Sequence, residues 1–396
     1  MALPPSALAT LGERPFGVYV HVPWCSSRCG YCDFNTYVPG HISDATPRQF
    51  VDDATAEIVY ARRAISDSLT RPVDTVFFGG GTPTLLPAEQ LGFVLQEIRE
   101  SFGFAEDAEI TTEANPETLS PEYLEALRKA GFNRLSLGMQ SAVPEVLATL
   151  DRVHTPGRAL EAVQWAREAG FEEISVDLIY GAPGETLGQW QQTVEAALSV
   201  NTSHISAYSL IVEPGTRMAR QVASGELVAQ SEDDLAEFYT LADSRFVAAG
   251  LDWYEVSNWA KPGSEAKHNL GYWRGDNWWG VGPGAHSHIG GVRWWNVKHP
   301  GTYANRLRRG EAPLADLEEL TPENQLVELL MLGIRTREGV RVADLTELGF
   351  DITSREIQAL ESEGLVTISE IPEGRIWVPE SHRLLADWVV RRMING

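Results

Sequence analysis

Cysteine and basic side chains are both scarce in this chain of 396 residues. Its only three cysteines, Cys25, Cys29 and Cys32, lie in one short window, so they are too few and too close together to build a disulfide framework. There are 32 basic residues against 55 acidic ones, and the formal net charge is −23. Such a charge argues against a nucleic acid or an anionic membrane as the main partner.

Long apolar runs are also missing. No stretch reaches the roughly 20 apolar residues that a membrane-spanning helix needs, and the start of the chain lacks the basic and apolar segments of a secretory signal. We therefore expect a cytoplasmic protein without an integral membrane segment. Hydrophobic residues make up 43% of the chain, which is enough for a large core, and the length predicts one large domain and one small one.

Short apolar runs alternate with amphipathic stretches over the first 215 residues, which indicates βα units that build a parallel sheet. Six strands are predicted, at residues 17–22, 75–79, 109–113, 134–139, 173–177 and 203–210. Six units do not close a full barrel, so we expect an α/β fold with a partial (βα)6 TIM-like barrel. Glu113, Gln140 and Asp177 lie at the carboxyl ends of three strands, the edge that carries active sites in such barrels.

Residues 251–300 differ in composition from the rest, since seven of the 12 tryptophans lie between Trp253 and Trp295. Glycine-rich stretches such as residues 280–285 look like loops. These aromatic residues are therefore predicted to pack around irregular backbone and to plug the open side of the barrel. Together with the barrel they form the predicted core domain, residues 1–300, which a linker at residues 301–314 follows.

Residues 315–396 are predicted to form a small α+β domain that resembles a winged helix. Helices are expected at residues 321–333, 342–348, 353–364 and 380–393, and a hairpin at 365–378 that turns at 372–374. A capping box of Thr353 and Glu356 marks the start of the third helix. Residues 314–396 hold 16 acidic and 8 basic side chains, so this unit is expected to dock or to act as a lid and not to bind DNA.

The three cysteines have the spacing of ligands to one metal centre. One interpretation is zinc completed by an imidazole such as that of His21. The other is a [4Fe–4S] cluster. Cubane clusters normally use four thiolates, so three would leave one iron open for the amino and carboxylate groups of S-adenosylmethionine (SAM).

The pattern Cys25-x3-Cys29-x2-Cys32 resembles the signature of the radical SAM superfamily. Further motifs resemble, in the same order, the group that contains oxygen-independent coproporphyrinogen III dehydrogenase and its heme-chaperone relatives. These motifs are residues 19–25, 79–84, 113–117, 138–141 and 268–273. The resemblance runs from about residue 15 to the carboxyl terminus, and it implies a [4Fe–4S] cluster and SAM as cofactors.

The resemblance also implies the residues of the SAM site. Gly80, Gly81 and Thr82 would line the methionine end, and Glu113 would accept hydrogen bonds from the ribose. The remaining members would be Gln140, Arg152 and Asp177 along the SAM pocket and Tyr19 and Tyr31 near the cluster. Two alternatives stay open from the residues alone: the glycines fit a tight βα turn, and Arg152 fits a surface charge on a helix.

Two features separate the branches of this group. The coproporphyrinogen branch has a fourth cysteine two residues after the third and a longer amino-terminal segment, whereas this chain has Phe34 there and only 24 residues before Cys25. The heme-chaperone branch is similar to this chain in its H-N-x-x-Y-W motif. The resemblance implies that His268, Tyr272 and Trp273 of this motif contact heme. The structural alternative is a hydrogen-bonded histidine and a packed indole.

We therefore expect a radical SAM-type heme chaperone that delivers heme to heme-dependent apoproteins, with heme as its cargo. The resemblance also implies an electron donor to the cluster and the ability to form a homodimer. The alternative is a radical SAM enzyme that acts on a porphyrinogen or another tetrapyrrole, which would explain why the whole SAM site is retained. A zinc-stabilised DNA-binding regulator is a third hypothesis, and the acidic carboxyl-terminal unit argues against it.

Overall fold

The computed structural model describes residues 3–65, 67–152, 155–369 and 374–395. Its strands are β1 (Phe16–Val22), β2 (Val73–Gly80), β3 (Phe104–Ala114), β4 (Arg134–Gln140), β5 (Glu173–Tyr180), β6 (His204–Ser209), β7 (Asp252–Glu255), β8 (Asn258–Ala260), β9 (Asn277–Val281), β10 (His286–Ile289), β11 (Val292–Asn296), β12 (Leu314–Glu319), β13 (Val340–Arg341), β14 (Thr367–Ile368) and β15 (Arg375–Trp377). Within the described residues, twelve of them form one sheet in the order β12-β11-β10-β9-β1-β2-β3-β4-β5-β6-β8-β7.

The six predicted strands are confirmed as β1 to β6, and each pairs in parallel with the next. Apolar side chains of these strands, such as Val76 and Phe78, are buried under the surrounding helices. Residues on the other face are largely polar. The predicted α/β fold with a parallel sheet is therefore confirmed, and its concave face carries the polar residues that matter for function.

The helices are α1 (Pro5–Ala9), α2 (Pro47–Ile65), α3 (Ala88–Phe102), α4 (Pro121–Ala130), α5 (Pro144–Thr149), α6 (Arg158–Glu168), α7 (Leu187–Ser199), α8 (Arg217–Ala223), α9 (Glu232–Ala248), α10 (Lys267–Arg274), α11 (Pro300–Arg308), α12 (Pro322–Gly333), α13 (Val342–Glu347), α14 (Arg355–Ser362) and α15 (Ala386–Asn395). Short 3-10 helices lie at Thr10–Gly12, Pro83–Leu85, Pro116–Thr118 and Glu380–Leu385. Local signals set several starts: Ser120 caps α4 with Pro121 in its first turn, and Thr186 forms a capping box on α7.

The predicted irregular plug at residues 251–300 is wrong. This segment forms strands: β9 pairs in parallel with β1, β10 and β11 continue the sheet, and β7 and β8 extend its other edge beyond β6. The tryptophans Trp259, Trp279 and Trp294 are buried strand residues of the core. Glycines suggested loops because they break the apolar pattern, but tertiary pairing with β1 and β6 overrides that local signal.

The segment predicted as a linker is ordered and belongs to the large unit. Residues 300–308 form α11, whose Tyr303 is buried against α2, and residues 314–319 form β12 beside β11. A separate hydrophobic cluster begins at Leu330 and ends at Met393. The boundaries of the two domains stay a prediction, with the second core starting later than residue 315.

The carboxyl-terminal helices and hairpin follow the predicted order, but β13 is an additional strand that pairs with β15, and residues 380–385 of the predicted last helix form a 3-10 helix before α15. The predicted capping box is also wrong. The helix predicted at residue 353 is α14, which Ser354 caps, while the Thr353 hydroxyl donates to Asp351. The predicted hairpin strands pair as β14 and β15, and part of their turn, residues 370–373, lies outside the described residues. In the described part of the chain, no helix is both long and apolar enough to cross a membrane.

Candidate functional site

Alternate residues of β1 to β6 line the concave face of the sheet. Strand register places Asp177 beside Gly138 on one side and Ser206 on the other, and it places Glu113 beside Ser136. Glu113 lies at the carboxyl end of β3 as predicted, whereas Asp177 lies inside β5, which continues to Tyr180, so its predicted place at a strand end is wrong. Side chains from four neighbouring strands therefore converge on the concave face, which leads to the edge formed by the carboxyl ends of the parallel strands.

The cysteine loop connects β1 with α2 at this edge. Its three thiols are free and partly exposed. The amide of Met218, in α8, donates to Gly30 O over 2.9 Å and so fixes the loop from outside. Burial raises the pKa of the Cys25 and Cys32 thiols, so a metal that binds them has to displace protons.

Two side chains from elsewhere in the chain reach the thiols. Thr82 Oγ1 donates to Cys25 Sγ over 3.8 Å, and Arg152 Nη1 donates to Cys29 Sγ over 3.5 Å. The Arg152 Nε group is buried without a hydrogen-bond partner in the described part of the protein. The interpretation of Arg152 as a surface charge is therefore wrong, since its guanidinium lies inside the site.

The donor set fits an iron–sulfur cluster better than zinc. Both ring nitrogens of His21 are engaged, with Tyr19 OH at 2.9 Å and Asn35 O at 3.0 Å, so His21 is not free to complete a zinc site. Over residues 3–65, 67–152, 155–369 and 374–395, no three His, Cys, Asp or Glu side chains converge on one metal ion. A cubane places its thiolates on different irons, so it does not need that convergence.

The glycine-rich turn after β2 packs directly beneath the cysteine loop. Gly80 has a φ of 103°, and a Cβ there would stand 2.5 Å from the His21 ring. A Cβ on Gly81 would stand 2.6 Å from Trp24 O. The amides of Gly81 and Thr82 donate to Val22 O and Trp24 O over 2.8 and 2.7 Å. Close packing therefore demands glycine here, whatever the turn also binds.

Two partly buried carboxyl groups, from β3 and β5, lie on the concave surface. Glu113 accepts a hydrogen bond from the Gly80 amide over 3.1 Å. Burial, reinforced by the charge of Asp177, raises the pKa of Glu113 to about 7. Asp177 accepts from the hydroxyls of Ser136, Ser175 and Ser206 over 2.6, 3.1 and 2.8 Å, and burial raises its pKa as well. Both carboxyl groups are thus acceptors at the barrel mouth.

Gln140 and Arg152 meet beside Gly138. Gln140 has a φ of 65°, and the pairing of β4 with β5 shifts register between Gly138 and Gln140. A Cβ on Gly138 would stand 2.8 Å from Gln140 Nε2 and 3.2 Å from Arg152 Nη2. The irregularity at the end of β4 therefore turns Gln140 toward the same space as Arg152.

The two predicted tyrosines lie on different sides of the cysteines. Tyr19 stacks on Phe77 inside the barrel, with ring centroids 6.2 Å apart. Tyr31 packs against the apolar cluster that contains Leu150 and Met218, and burial raises its pKa above the ordinary value although the charge of Arg152 opposes that shift. Tyr31 thus lies near Arg152 and the cysteines.

The predicted heme contacts lie at the opposite end of the barrel. His268 is buried: Nδ1 is 2.8 Å from Thr75 Oγ1, Nε2 is 2.8 Å from Tyr272 OH, and the ring stacks on Phe77 at 5.3 Å. Burial lowers its pKa to about 3, so the imidazole is neutral. Neither ring nitrogen is free to bind iron in this arrangement. His268 is thus a packed, hydrogen-bonded histidine, as the structural alternative predicted.

The start of α10 is held by the same end of the barrel. Glu109, near the amino end of the sheet face, accepts hydrogen bonds from the amides of Lys267 and His268 over 2.9 Å each. Arg134 neutralises Glu109 from the next strand over 3.4 Å. Tyr272 follows on α10, and Trp273 is partly exposed. The H-N-x-x-Y-W motif thus closes the barrel floor, and heme contact by His268, Tyr272 and Trp273 stays a prediction.

Several polar residues of the concave face were not predicted. They are Thr75, Glu109, Arg134, Ser136, Ser175, His204 and Ser206. The signal was present as polar residues at alternate positions, as in Ser175 and Asp177 on β5 and His204 and Ser206 on β6. Period-two alternation normally indicates a solvated face, and here it indicates a polar interior.

Comparison with protein families shows two matches. Residues 19–197 match the Radical SAM superfamily, and residues 320–380 match the HemN C-terminal domain. Among solved structures, coproporphyrinogen III oxidase (HemN) from Escherichia coli has a TM-score of 0.82 with 24% sequence identity. The match covers 98% of this chain and 92% of the HemN chain, which shows that the fold is shared over almost the full length.

Curated relatives are similar over almost the whole chain. A protein named Heme chaperone HemW from Mycobacterium tuberculosis is 47% identical over 98% of this chain and 97% of its own length. The protein of that name from Bacillus subtilis is 38% identical, over 94% and 97%. The Bos taurus protein named Radical S-adenosyl methionine domain-containing protein 1, mitochondrial, is 34% identical, over 84% and 71%. The chain therefore belongs to the radical SAM superfamily, in the family of proteins named HemW.

Proposed function

We propose that this protein is a radical SAM-type heme chaperone, which binds a [4Fe–4S] cluster, SAM and heme and delivers heme to apoproteins in the cytoplasm. The observation that carries the proposal is the 47% identity, over 98% of the chain, to a protein named Heme chaperone HemW. Heme-accepting apoproteins, an electron donor to the cluster and a homodimer belong to the same proposal.

The cysteine loop supplies the cluster site in this proposal. Cys25, Cys29 and Cys32 would each bind one iron, and the Arg152 guanidinium beside Cys29 would offset thiolate charge. A bound cluster supplies the electron that reduces SAM. Cys25 is held by Thr82, so the loop is attached to the barrel through the glycine-rich turn.

SAM would occupy the concave face next to the cysteines. Glu113 and Asp177 would accept hydrogen bonds from ribose hydroxyls, since both are partly buried carboxyl groups on the concave face. Gly80, Gly81 and Thr82 would lie along the methionine end. Gln140, Arg152, Tyr19 and Tyr31 would complete the pocket.

An anaerobic heme titration of cluster-reconstituted protein tests the cargo. We expect a Soret band that saturates at a fixed ratio of heme to protein. Iron and acid-labile sulfide near four each per chain would accompany it, as a [4Fe–4S] cluster requires. Absence of saturable heme binding would remove the chaperone proposal, and zinc in place of iron and sulfide would remove the cluster.

A second candidate is a radical SAM enzyme that acts on a porphyrinogen. The assembled group of Glu113, Asp177 and Arg152 favours it, because a carrier alone has no chemical need for a SAM pocket. Phe34, 58% exposed, replaces the fourth cysteine of the coproporphyrinogen branch. Oxidative decarboxylation of coproporphyrinogen III with dithionite and SAM would establish this enzyme in place of a pure chaperone, and we expect none.

A further inference from the structure

A series of hydrogen bonds links Asp177 on β5 to α10 through side chains of β5, β6 and β7. Ser175 Oγ is 3.1 Å from Asp177 Oδ1 and 2.8 Å from His204 Nδ1. His204 Nε2 is 2.8 Å from Tyr254 OH, which is 3.4 Å from Asn269 Nδ2. His204 is 3% exposed and Tyr254 is 4% exposed, so water does not compete for these bonds.

The direction of each bond follows from its chemistry. Ser175 donates its hydroxyl proton to Asp177 Oδ1, so its oxygen must accept from His204 Nδ1–H. Nε2 of a neutral His204 then accepts from the Tyr254 hydroxyl. Tyr254 in turn accepts from Asn269, an amide that only donates through Nδ2. All donors therefore point toward the carboxylate, and bonds in one direction polarise one another.

The surroundings keep His204 in this neutral form. Burial, together with the positive charge of Arg134, lowers the pKa of His204 well below its ordinary value. Arg134 is fixed between Glu109 and Glu173 on the adjacent strands. At the other end of the series, Glu255 Oε1 accepts a hydrogen bond from the side-chain Nδ2 of Asn269 over 3.0 Å and so orients that side chain.

We propose that His204 is a positioning residue for Asp177. Through Ser175 it fixes the Asp177 carboxyl group as the acceptor for a ribose hydroxyl of SAM, and Tyr254 and Asn269 set the tautomer of His204. This inference rests on the proposed SAM site. It also links that site to the H-N-x-x-Y-W motif, because Asn269 is the second residue of the motif.

The test measures SAM affinity in the reconstituted full-length protein with cluster content matched. His204→Leu removes both ring nitrogens, and we expect the Kd for SAM to rise about tenfold, the effect of one hydrogen bond to a charged group. His204→Asn can place an amide N–H near the Nδ1 position, so it should restore the Kd to within about threefold. Tyr254→Phe, which removes the donor to Nε2, should raise the Kd about threefold.

Two controls separate positioning from a general loss of packing. The tenfold effect of His204→Leu should vanish in an Asp177→Asn background, because the two residues act through one contact. It should also vanish with 2′-deoxy-SAM or with 3′-deoxy-SAM, whichever lacks the hydroxyl that donates a hydrogen bond to Asp177. Tyr254→Phe carries the same test if His204→Leu does not fold.

Equal SAM affinity in wild type and His204→Leu would overturn the inference. So would an equal loss for SAM and both deoxy analogues, or an undiminished loss in the Asp177→Asn background. Wild-type protein that holds a cluster but does not bind SAM would instead overturn the SAM site of the proposed function, which is a different result.

Discussion

The Arg152 side chain lies between the cysteine loop and the end of β4. Its Nη1 lies 3.5 Å from Cys29 Sγ, and its Nη2 is close to Gln140 beside Gly138. A buried guanidinium needs a negative partner, because an uncompensated charge is costly to bury. In the proposed cluster site, the Cys29 thiolate would supply that partner.

We expect Arg152→Met to weaken the metal site. The substitution keeps most of the side-chain volume but removes the charged donor to Cys29, and loss of such supporting contacts typically costs 10- to 100-fold in metal affinity. Iron and sulfide retained after gel filtration should fall, and the reduction potential of the remaining cluster should become more negative because a nearby positive charge is gone. Arg63→Met, on the exposed face of α2, is the matched control. Unchanged iron content and potential would contradict this role.

We expect His268→Ala to destabilise the protein without abolishing heme binding. The change removes hydrogen bonds to Thr75 and Tyr272 and the stacking on Phe77, and it leaves a cavity, for a loss of about 2–4 kcal/mol in unfolding free energy. Tyr272→Phe removes one bond only and should cost about 1 kcal/mol. Denaturant unfolding and the Soret titration measure the two effects. A tenfold loss of heme affinity with unchanged stability would support the predicted heme contact instead.

At the level of elements, α2, β9, β11 and α11 are joined through one buried carboxyl group. Glu57 on α2 accepts from the amide of Gly282 over 2.8 Å, from Asn296 Nδ2 over 2.7 Å and from the Tyr303 hydroxyl over 2.5 Å. Burial raises the pKa of Glu57 to about 7 even though these bonds oppose the shift. This group explains why the segment predicted as a linker is fixed to the sheet.

The titration of Glu57 predicts a pH dependence of stability. The folded state holds its proton up to about pH 7, whereas the unfolded chain releases it near the ordinary value of 4.5. The folded state therefore binds more protons between these values, and the unfolding free energy falls as pH rises through this window, by roughly 3 kcal/mol in total. Glu57→Gln removes this contribution, so its unfolding free energy should fall less steeply than that of wild type between pH 5 and 8. Other carboxyl groups with a raised pKa, such as Glu113, are present in both wild type and Glu57→Gln, so they do not contribute to the difference between the two curves. Parallel curves would contradict the assignment.

For the whole molecule, the contact between the carboxyl-terminal unit and the large sheet centres on Arg383. Its side chain is 9% exposed, it pairs with Asp243 on α9, and its guanidinium lies 5.1 Å from the ring of Tyr239 and 4.9 Å from that of Trp253. The amide of Arg337 adds a bond to Tyr254 O over 2.9 Å. Tyr254, whose hydroxyl contacts His204, is thus also attached to the carboxyl-terminal unit through its backbone carbonyl.

We expect Arg383→Ala to loosen this contact. Removing one partner of a largely buried ion pair, together with two cation–π contacts, should cost about 3 kcal/mol. Hydrogen exchange should become faster in α12 and α15 and at β7, while β2 to β4 stay protected. Arg391→Ala, an exposed change on α15, is the control and should have no measurable effect. Unchanged exchange at β7 would show that Arg383 does not hold the two units together.

Much of the fold could be predicted because its signals are local. β1 to β6 were predicted within a few residues from apolar runs, and the capping residues of α4 mark its start. Strands β9 to β12, which extend the sheet beyond β1, could not be predicted in the same way. Their glycines and tryptophans give a weak local signal, and β9 becomes a strand because it pairs with β1, more than 250 residues earlier in the chain.

Local sequence was enough to predict the cysteine motif, the place of Glu113 at the end of β3 and the membership in a superfamily, because spacing and alternation are properties of neighbouring residues. Three contacts between distant residues could be seen only in the folded chain: Arg152 with Cys29, His268 with Thr75 and Tyr272, and His204 with Asp177 through Ser175. Such contacts depend on the register between strands, and a shift of one residue would turn each side chain to the other face of the sheet. That register is set by packing over the whole molecule, which no local pattern contains.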